Sequence, residues 1–329
     1  MKPKVFIGRP VSKEVEAYIA KHCEYRIWDK KEPIPPEVLL EEAKKAEGLL
    51  VQKSAITEDF LAQASHLKVI SNTAVGYDSF DLEAMEKYGV IGTHTPFVLD
   101  ETVADLVFAL MLSAARRIPE LNNYVKQGDW NGETQAEELF GTDVHHTTLG
   151  IVGMGRIGEK IARRAVFGFN MKVMYNATTP KPQLEETYGM VYSDLDSLLE
   201  QSDFVVLIVP LTASTRKLIG AEQFKRMKSN AILINAARGA VVDEQALIEA
   251  LQTGEIRGAA LDVFEKEPTS PDNPLLKMDQ VVVVPHIGSA TAKTREAMVM
   301  KAAENLVAGV TGGVPENVVK ELQGLISGQ

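Results

Sequence analysis

Thr148-Leu149-Gly150-Ile151-Val152-Gly153-Met154-Gly155-Arg156-Ile157-Gly158 reads as a short buried strand that turns, through G-x-G-x-x-G, into a helix running on from Glu159. Each glycine answers a steric demand. Gly153 permits a tight turn, Gly155 lets the backbone approach a pyrophosphate, and Gly158 lets the helix pack close to the strand. The unpaired N–H groups and the dipole at the helix start favour phosphate charge. Alone, G-x-G-x-x-G is a weak signal. Here a second apolar run, residues 171–176, ends about twenty residues later, as a dinucleotide-binding unit requires.

Working outward, the runs 204–210, 231–235, 258–263 and 281–285 are almost continuously apolar, as expected of parallel strands buried on both faces, with a short helix at 195–201. On the other side, strand-like runs at 4–8, 25–28, 48–51, 68–71 and 90–93 alternate with amphipathic stretches at 12–21 (capped by Ser12), 36–46, 57–64 and 80–88. Such alternation predicts a parallel sheet covered by helices. This half has no glycine fingerprint, so the nucleotide site belongs to the second half. Between them, a helix at 101–117 with Asp100 as its cap is apolar nearly all round from Val103 to Leu112. It suits a core or a subunit contact equally. Residues 118–147 are polar, and the Trp130 region reads as an arm or lid. A long amphipathic helix at 292–310 is able to carry the chain back to the first half. The fold class is α/β, with two doubly wound parallel-sheet domains.

Bulk properties agree. At about 100–200 residues per domain, 329 residues make two domains. A net charge of -10 without a basic run excludes nucleic acid as a partner. The single cysteine, Cys23, excludes an intramolecular disulfide and any cysteine-built metal site, and no spacing among His, Asp and Glu suggests a metal. The first residues form a short strand followed by a charged helix rather than a signal peptide, and no run of eighteen apolar residues occurs. A cytoplasmic protein without membrane contact is expected.

Ligands of open α/β sheets bind beyond the carboxyl ends of the strands. Three residues fall there: Arg238 in Asn235-Ala236-Ala237-Arg238-Gly239, Glu267 in Phe264-Glu265-Lys266-Glu267-Pro268, and His286 in Pro285-His286-Ile287-Gly288. Singly, each has a plainer reading, as a surface ion pair, a solvated loop acid and a core histidine. Together they suit reduction of a 2-keto acid. The arginine fork holds carboxylate and carbonyl oxygens, and the histidine gives a proton to the carbonyl oxygen as hydride arrives from a nicotinamide. A carboxylate beside such a histidine favours its protonated form and holds its ring. His22, His66, His94, His145 and His146 lack comparable context and read as structural or surface residues.

Val75-Gly76-Tyr77-Asp78, Glu101-Thr102-Val103-Ala104-Asp105, Gly141-Thr142-Asp143-Val144-His145-His146 and the stretches 150–158, 234–243, 261–268 and 284–290 extend this pattern over nearly the whole chain. In them the sequence resembles the D-isomer-specific 2-hydroxyacid dehydrogenases, and within these the bacterial glyoxylate/hydroxypyruvate (2-ketogluconate) reductase branch. The resemblance implies Arg238 as substrate binder, Glu267 as the acid partner and His286 as the acid/base. It implies substrate contacts from the backbone of Val75 and Gly76. Cofactor contacts are implied at Thr102, Arg156, Ile157, Pro210, Ala236, Ala237, Arg238, Asp262, His286 and Gly288, besides the three glycines of the fingerprint.

It further implies a flavodoxin-like substrate domain of residues 1–99 plus 291–329 and a Rossmann NAD(P)-binding domain of 100–290. The active site would lie in the cleft, closing on binding, in a homodimer joined through the nucleotide domains. The acid that holds the ribose 2′-hydroxyl in NAD enzymes is replaced by Asn176, followed by Ala177 and Thr178. Without a carboxylate to repel a 2′-phosphate, NADP(H) is preferred and NAD(H) remains usable. The residues after Asn176 depart from the branch, which tends to place arginines there. Two alternatives stand beside the reductase: a phosphoglycerate dehydrogenase-like enzyme, though nothing after about residue 310 leaves room for its common regulatory domain, and a non-catalytic NAD(H)-sensing protein. A formate dehydrogenase is disfavoured by glutamate at 267, where that branch has glutamine.

Overall fold

The computed structural model describes residues 1–131 and 135–326. The chain divides into two compact units, Met1–Leu99 with Ala290–Gln329, and Asp100–Ser289.

The first unit alternates β1 (Lys4–Ile7), α1 (Lys13–His22), β2 (Glu24–Ile27), α2 (Pro36–Ala43), β3 (Gly48–Val51), α3 (Glu58–Gln63), β4 (Val69–Asn72), α4 (Leu82–Tyr88) and β5 (Ile91–Thr93). Helix starts follow local chemistry. The side chains of Ser12, Thr57 and Asp81 accept hydrogen bonds from the N–H groups of Val15, Phe60 and Ala84, which a helix start otherwise leaves unsatisfied. The five strands are parallel in the order β2-β1-β3-β4-β5, so the chain reverses its direction of winding between β1 and β3. β3 and β4 are buried throughout.

The second unit opens with α5 (Asp100–Ala115) and α6 (Ile118–Gln127). It continues through β6 (Thr148–Val152), α7 (Arg156–Phe169), β7 (Lys172–Asn176), α8 (Pro182–Tyr188), β8 (Val191–Tyr192), α9 (Leu195–Gln201) and β9 (Phe204–Leu207). It closes with α10 (Ala221–Arg226), β10 (Ile232–Asn235), α11 (Glu244–Thr253), β11 (Gly258–Leu261) and β12 (Val281–Val283). The seven strands are parallel in the order β12-β11-β10-β9-β6-β7-β8, with the winding reversed between β6 and β9. Side chains alternate between faces with period two: Val205, Leu207, Leu233, Ala259 and Leu261 join Leu198, Phe224, Leu247 and Leu251 of α9, α10 and α11 in one buried cluster. α5 packs on β10, β11, β12 and α7.

The chain then returns to the first unit through α12 (Ala292–Val310), which packs on β3, β4 and α1. Leu306 is completely buried there, and truncating such a leucine to alanine costs about 2–5 kcal/mol. Polar pins accompany the apolar contact: Ser71 Oγ donates to Ala302 O at 2.7 Å and receives Thr93 Oγ1 at 2.9 Å.

Several expectations are corrected. Asp100 is not a cap but the first residue of α5; its buried carboxylate accepts from Arg156 Nε at 3.1 Å. α7 opens at Arg156, a turn earlier than Glu159. The apolar α5 is core, with Val103, Ala104, Val107, Phe108, Leu110 and Met111 buried within its own unit. The stretch 118–147 holds the helix α6, begun with Pro119 in its first turn and ended by Gly128 at φ 87°. The expected arm around Trp130 falls in part on residues 132–134, outside the described residues. Among the described residues no helix is long and apolar enough to cross a membrane.

Candidate active site

The glycine fingerprint forms a cradle at the β6 end of the switch in winding. Gly153 stands at φ 109°, and a Cβ on it would come within 2.6 Å of Ile208 O. A Cβ on Gly158 would meet Gly153 O at 2.3 Å, which holds α7 close to the turn. Around Gly155, by contrast, there is open space within 4 Å of a Cβ position. Gly155 is also the N-cap of α7, and no side chain caps that end. An open backbone position leading into an uncapped 14-residue helix is the place where a phosphate group fits. The donor set therefore suits a dinucleotide, with Gly153 to Gly158 to hold its pyrophosphate.

The neighbouring strand ends carry the other expected residues. After β7, Asn176 Nδ2 donates to Ser193 O at 2.9 Å, Tyr192 Oη donates to Ala177 O at 3.3 Å, and Thr178 is exposed. Pro210 follows β9, and its carbonyl accepts from Thr215 Oγ1 at 2.6 Å. After β10, the buried Asn235 shapes the turn from both ends. Its Oδ1 accepts from Ala237 N at 3.1 Å and its Nδ2 donates to Arg238 O at 3.1 Å. Asn235 was not expected to matter, and its signal was only an amide at the end of an apolar run. The turn then presses on the next one: a Cβ on Gly239 would lie 1.8 Å from the Phe264 carbonyl carbon. Arg238 follows, with Nη1 donating to Ala237 O at 2.8 Å.

Glu267 and His286, after β11 and β12, meet directly. His286 Nδ1 lies 2.7 Å from Glu267 Oε2, and Glu267 Oε1 accepts from Phe264 N at 3.4 Å. Each side chain keeps a solvent-facing part, 26% for His286 and 31% for Glu267. His286 sits at φ 53°, in the left-handed region that non-glycine residues seldom occupy. The next two residues explain what holds it there. Ile287 N and Gly288 N donate to Asp262 Oδ1 and Oδ2 at 2.6 and 3.0 Å. Burial pushes the Asp262 carboxyl above its ordinary range, against the opposing pull of these donors and of His286. Thr102 lies in the first turn of α5, and Arg156 is tied to Asp100 beside it.

Val75 and Gly76 belong to the first unit, in the loop after β4. Asn72 Nδ2 donates to Gly76 O at 2.9 Å, and His94 Nδ1 contacts Val75 O at 2.8 Å. His94, read from sequence as structural, thus holds a loop expected to touch substrate. Among the described residues no group of three or more His, Cys, Asp or Glu side chains is placed to hold a metal ion. A cavity of about 330 Å³ in the second unit is lined by Ile232, Gly258 and Val282 together with Arg117 and Arg257, and includes none of these residues.

Residues 108–288 match the family model described as D-isomer specific 2-hydroxyacid dehydrogenase, NAD binding domain. The chain belongs to the D-isomer specific 2-hydroxyacid dehydrogenase family. It is 48% identical over 319 residues to glyoxylate/hydroxypyruvate reductase B of Yersinia pestis (strain Pestoides F), covering 97% of this chain and 98% of that one. Among solved structures it is similar to a protein from Thermus thermophilus, with 40% identity, a TM-score of 0.88 and coverage of 96% and 99%. It is also similar to an NADPH-dependent glyoxylate/hydroxypyruvate reductase from Sinorhizobium meliloti in complex with NADP and malonate, with 32% identity, a TM-score of 0.86 and 98% of each chain covered. In this dehydrogenase the NAD-binding match lies entirely within the second unit, where the glycine cradle and the His286–Glu267 contact are found.

Proposed function

We propose that this chain is an NAD(P)H-dependent reductase of small 2-keto acids, among them glyoxylate, hydroxypyruvate and 2-ketogluconate, forming D-2-hydroxy acids. The observation that carries the reading is the 2.7 Å contact of His286 Nδ1 with Glu267 Oε2 at the ends of neighbouring strands. A carboxylate only accepts, so Nδ1 carries the hydrogen and Nε2 is the nitrogen that hands a proton to the substrate carbonyl oxygen. Glu267 holds the ring and offsets the charge of the imidazolium. Arg238 takes the substrate carboxylate with its planar fork, and the backbone of Val75 and Gly76 contributes from the substrate unit. When bound, the reduced nicotinamide supplies the hydride.

Gly153, Gly155 and Gly158 with Arg156 and Ile157 hold the pyrophosphate. Thr102, Pro210, Ala236, Ala237, Asp262 and Gly288 line the remainder of the dinucleotide. Asn176, Ala177 and Thr178 face the adenosine ribose, and the absence of a carboxylate among them supports NADP(H) as the preferred cofactor, with NAD(H) also used. The NADP and malonate bound to the Sinorhizobium relative support both the cofactor and a small acid as ligand. We also propose a homodimer formed through the NAD(P)-binding units. The test is a matrix of NADPH and NADH against glyoxylate, hydroxypyruvate, 2-ketogluconate, phosphohydroxypyruvate and pyruvate, read as loss of reduced-nicotinamide absorbance. Oxidation with any of the first three is expected; none with any of the five, in protein that binds the cofactor, overturns the reading.

A further inference from the structure

Arg9 lies at the ligand-binding edge of the first unit's sheet. It follows β1, while its Nη1 donates to Gln52 Oε1, just after β3, and reaches Thr73 Oγ1, just after β4, at 3.5 Å. In a sheet of order β2-β1-β3-β4-β5, the reversal between β1 and β3 opens the crevice where ligands of such folds bind. The remaining contact of Arg9 is Nε to Pro10 O at 3.4 Å, so its hydrogen-bond partners are a carbonyl, an amide and a hydroxyl, all neutral. The other charge it feels is a second cation, Arg295 of α12; burial and then this repulsion hold the Arg9 guanidinium below its ordinary value. A half-buried guanidinium under the charge of a second arginine, at a crevice and with no carboxylate partner among the described residues, is an arrangement that an anion completes.

The anion's place is set by Thr73. It is two residues from Val75, and two residues span at most about 7 Å of chain. Asn72, next to Thr73, donates to Gly76 O and so pins the short loop that runs from Thr73 through Val75. A substrate whose first carboxylate rests on Val75 and Gly76 therefore has its far end within reach of Arg9. We infer that Arg9 forms a second anion subsite, and that the preferred substrates are 2-keto acids bearing a further carboxylate or phosphate beyond the keto carbon. This rests on the 2-keto acid reductase reading.

The test compares wild type, Arg9→Gln and Arg9→Lys. Steady-state kcat/KM is measured for glyoxylate, 2-oxosuccinate and phosphohydroxypyruvate, and Kd by calorimetry for malonate against acetate. Wild type is expected to favour a dianion over glyoxylate, with the two dianions separating carboxylate from phosphate recognition. In Arg9→Gln the dianion-to-glyoxylate ratio of kcat/KM falls at least tenfold, and malonate loses its advantage over acetate. Arg9→Lys, which keeps the charge and loses the fork, falls between them. A ratio within twofold of wild type in both variants overturns the subsite while leaving the reductase standing. If wild type reduces none of the substrates yet binds malonate in an Arg9-dependent way, the reductase reading fails and the subsite survives. Should Arg9→Gln not fold, the Arg9→Lys ratio decides.

Discussion

The Nδ1 atom of His94 lies 2.8 Å from the carbonyl oxygen of Val75. A carbonyl can only accept, so this nitrogen carries the hydrogen and the ring's tautomer is set by the loop it holds. The same ring meets Tyr77 edge-on, with centroids 5.2 Å apart, and the Tyr77 hydroxyl donates to Glu321 Oε2 at 3.1 Å. Burial and the Glu321 charge push the Tyr77 phenol up to about 12, so it remains a donor at any working pH. Removing a partner from a half-buried hydrogen bond costs about 1–3 kcal/mol. His94→Ala is accordingly expected to raise KM for keto acid roughly five- to a hundredfold with a smaller change in kcat. His94→Asn, which retains an N–H donor, recovers part of the loss. Equal losses in KM and kcat, with no recovery by asparagine, would show that the loop is not held for substrate binding.

The His286–Glu267 pair predicts a division of effects. General acid catalysis by a positioned side chain is worth about 10²–10⁴-fold. His286→Asn is expected to lower kcat for reduction by that factor, with a much smaller change in cofactor affinity, followed by quenching of protein fluorescence. Glu267→Gln keeps an acceptor for Nδ1 but removes the charge, and should lose less. Parent-like turnover in His286→Asn would sink the proton-donor assignment.

Asp262 predicts a pH effect of definite sign. Its carboxyl is raised by burial, so the folded chain binds this proton more readily than the unfolded chain does. Ionisation of Asp262 therefore weakens the fold above the folded pKa, and that deficit is relieved as pH falls through it. Catalysis goes the other way, because protonating one of the two oxygens weakens its hold on the N–H it accepts, Ile287 N at Oδ1 or Gly288 N at Oδ2. On acidification kcat/KM should drop in a window where thermal stability does not fall with it. Asp262→Asn should lose roughly tenfold or more at neutral pH and shift the midpoint of the acid limb. An unmoved midpoint assigns that limb to other groups.

The contact of Gly239 with Phe264 predicts instability. A Cβ at 1.8 Å from backbone carbon has no soft neighbour to displace, so two strand-end turns must separate. Overpacking of this kind costs about 1–3 kcal/mol or more, a fall in Tm of roughly 2–12 °C for a unit of this size. Gly239→Ala should show it in calorimetry, together with a loss of turnover, because Arg238 and Glu267 stand on the two turns. A Tm within a degree of the parent would mean that the turns yield without cost.

Cofactor choice can be shifted at the end of β7. Asn176→Asp places a carboxylate where the ribose 2′ position is read, which repels a 2′-phosphate and accepts from a 2′-hydroxyl. The NADPH-to-NADH ratio of kcat/KM is expected to fall at least tenfold. No change would place 2′ recognition elsewhere, on residues such as Thr178 or Lys181.

What the sequence made legible, and what it hid, follows from the kind of interaction involved. Gly153 and Gly158 are visible because only a missing side chain satisfies their close approaches, and Gly155 because the spacing between them records an open backbone position. The Arg238, Glu267 and His286 positions are visible because each directly follows an apolar run. The tether from Asp262 to Ile287 and Gly288 is not, since a carboxylate accepting distant backbone N–H groups leaves no periodic trace. Asn235 and His94 are hidden for the same reason. α10 and α11 leave a weak trace because short helices between strong strands carry little periodicity, although Asp243, which caps α11 through Ala246 N, is a recognisable start signal. Asp100 misled because its residue type suits a cap, while the nearby Arg156 of α7 drew its carboxylate into an ion pair instead.

The return of the chain through α12 gives synthesis a fixed order of events. β1 to β5 leave the ribosome first, but the helix that covers β3 and β4 follows only after the whole of residues 100–289 has been made. At about 5–20 residues per second, that interval lasts roughly 10–40 s. During it the nascent first unit displays the sheet face that carries Leu50 and Val69, which the finished chain buries completely. The inserted unit, sequence-continuous and able to close its own core, has no such wait. A chain ending shortly before residue 292 would thus carry the whole of the second unit beside one open sheet, the form most in need of a chaperone.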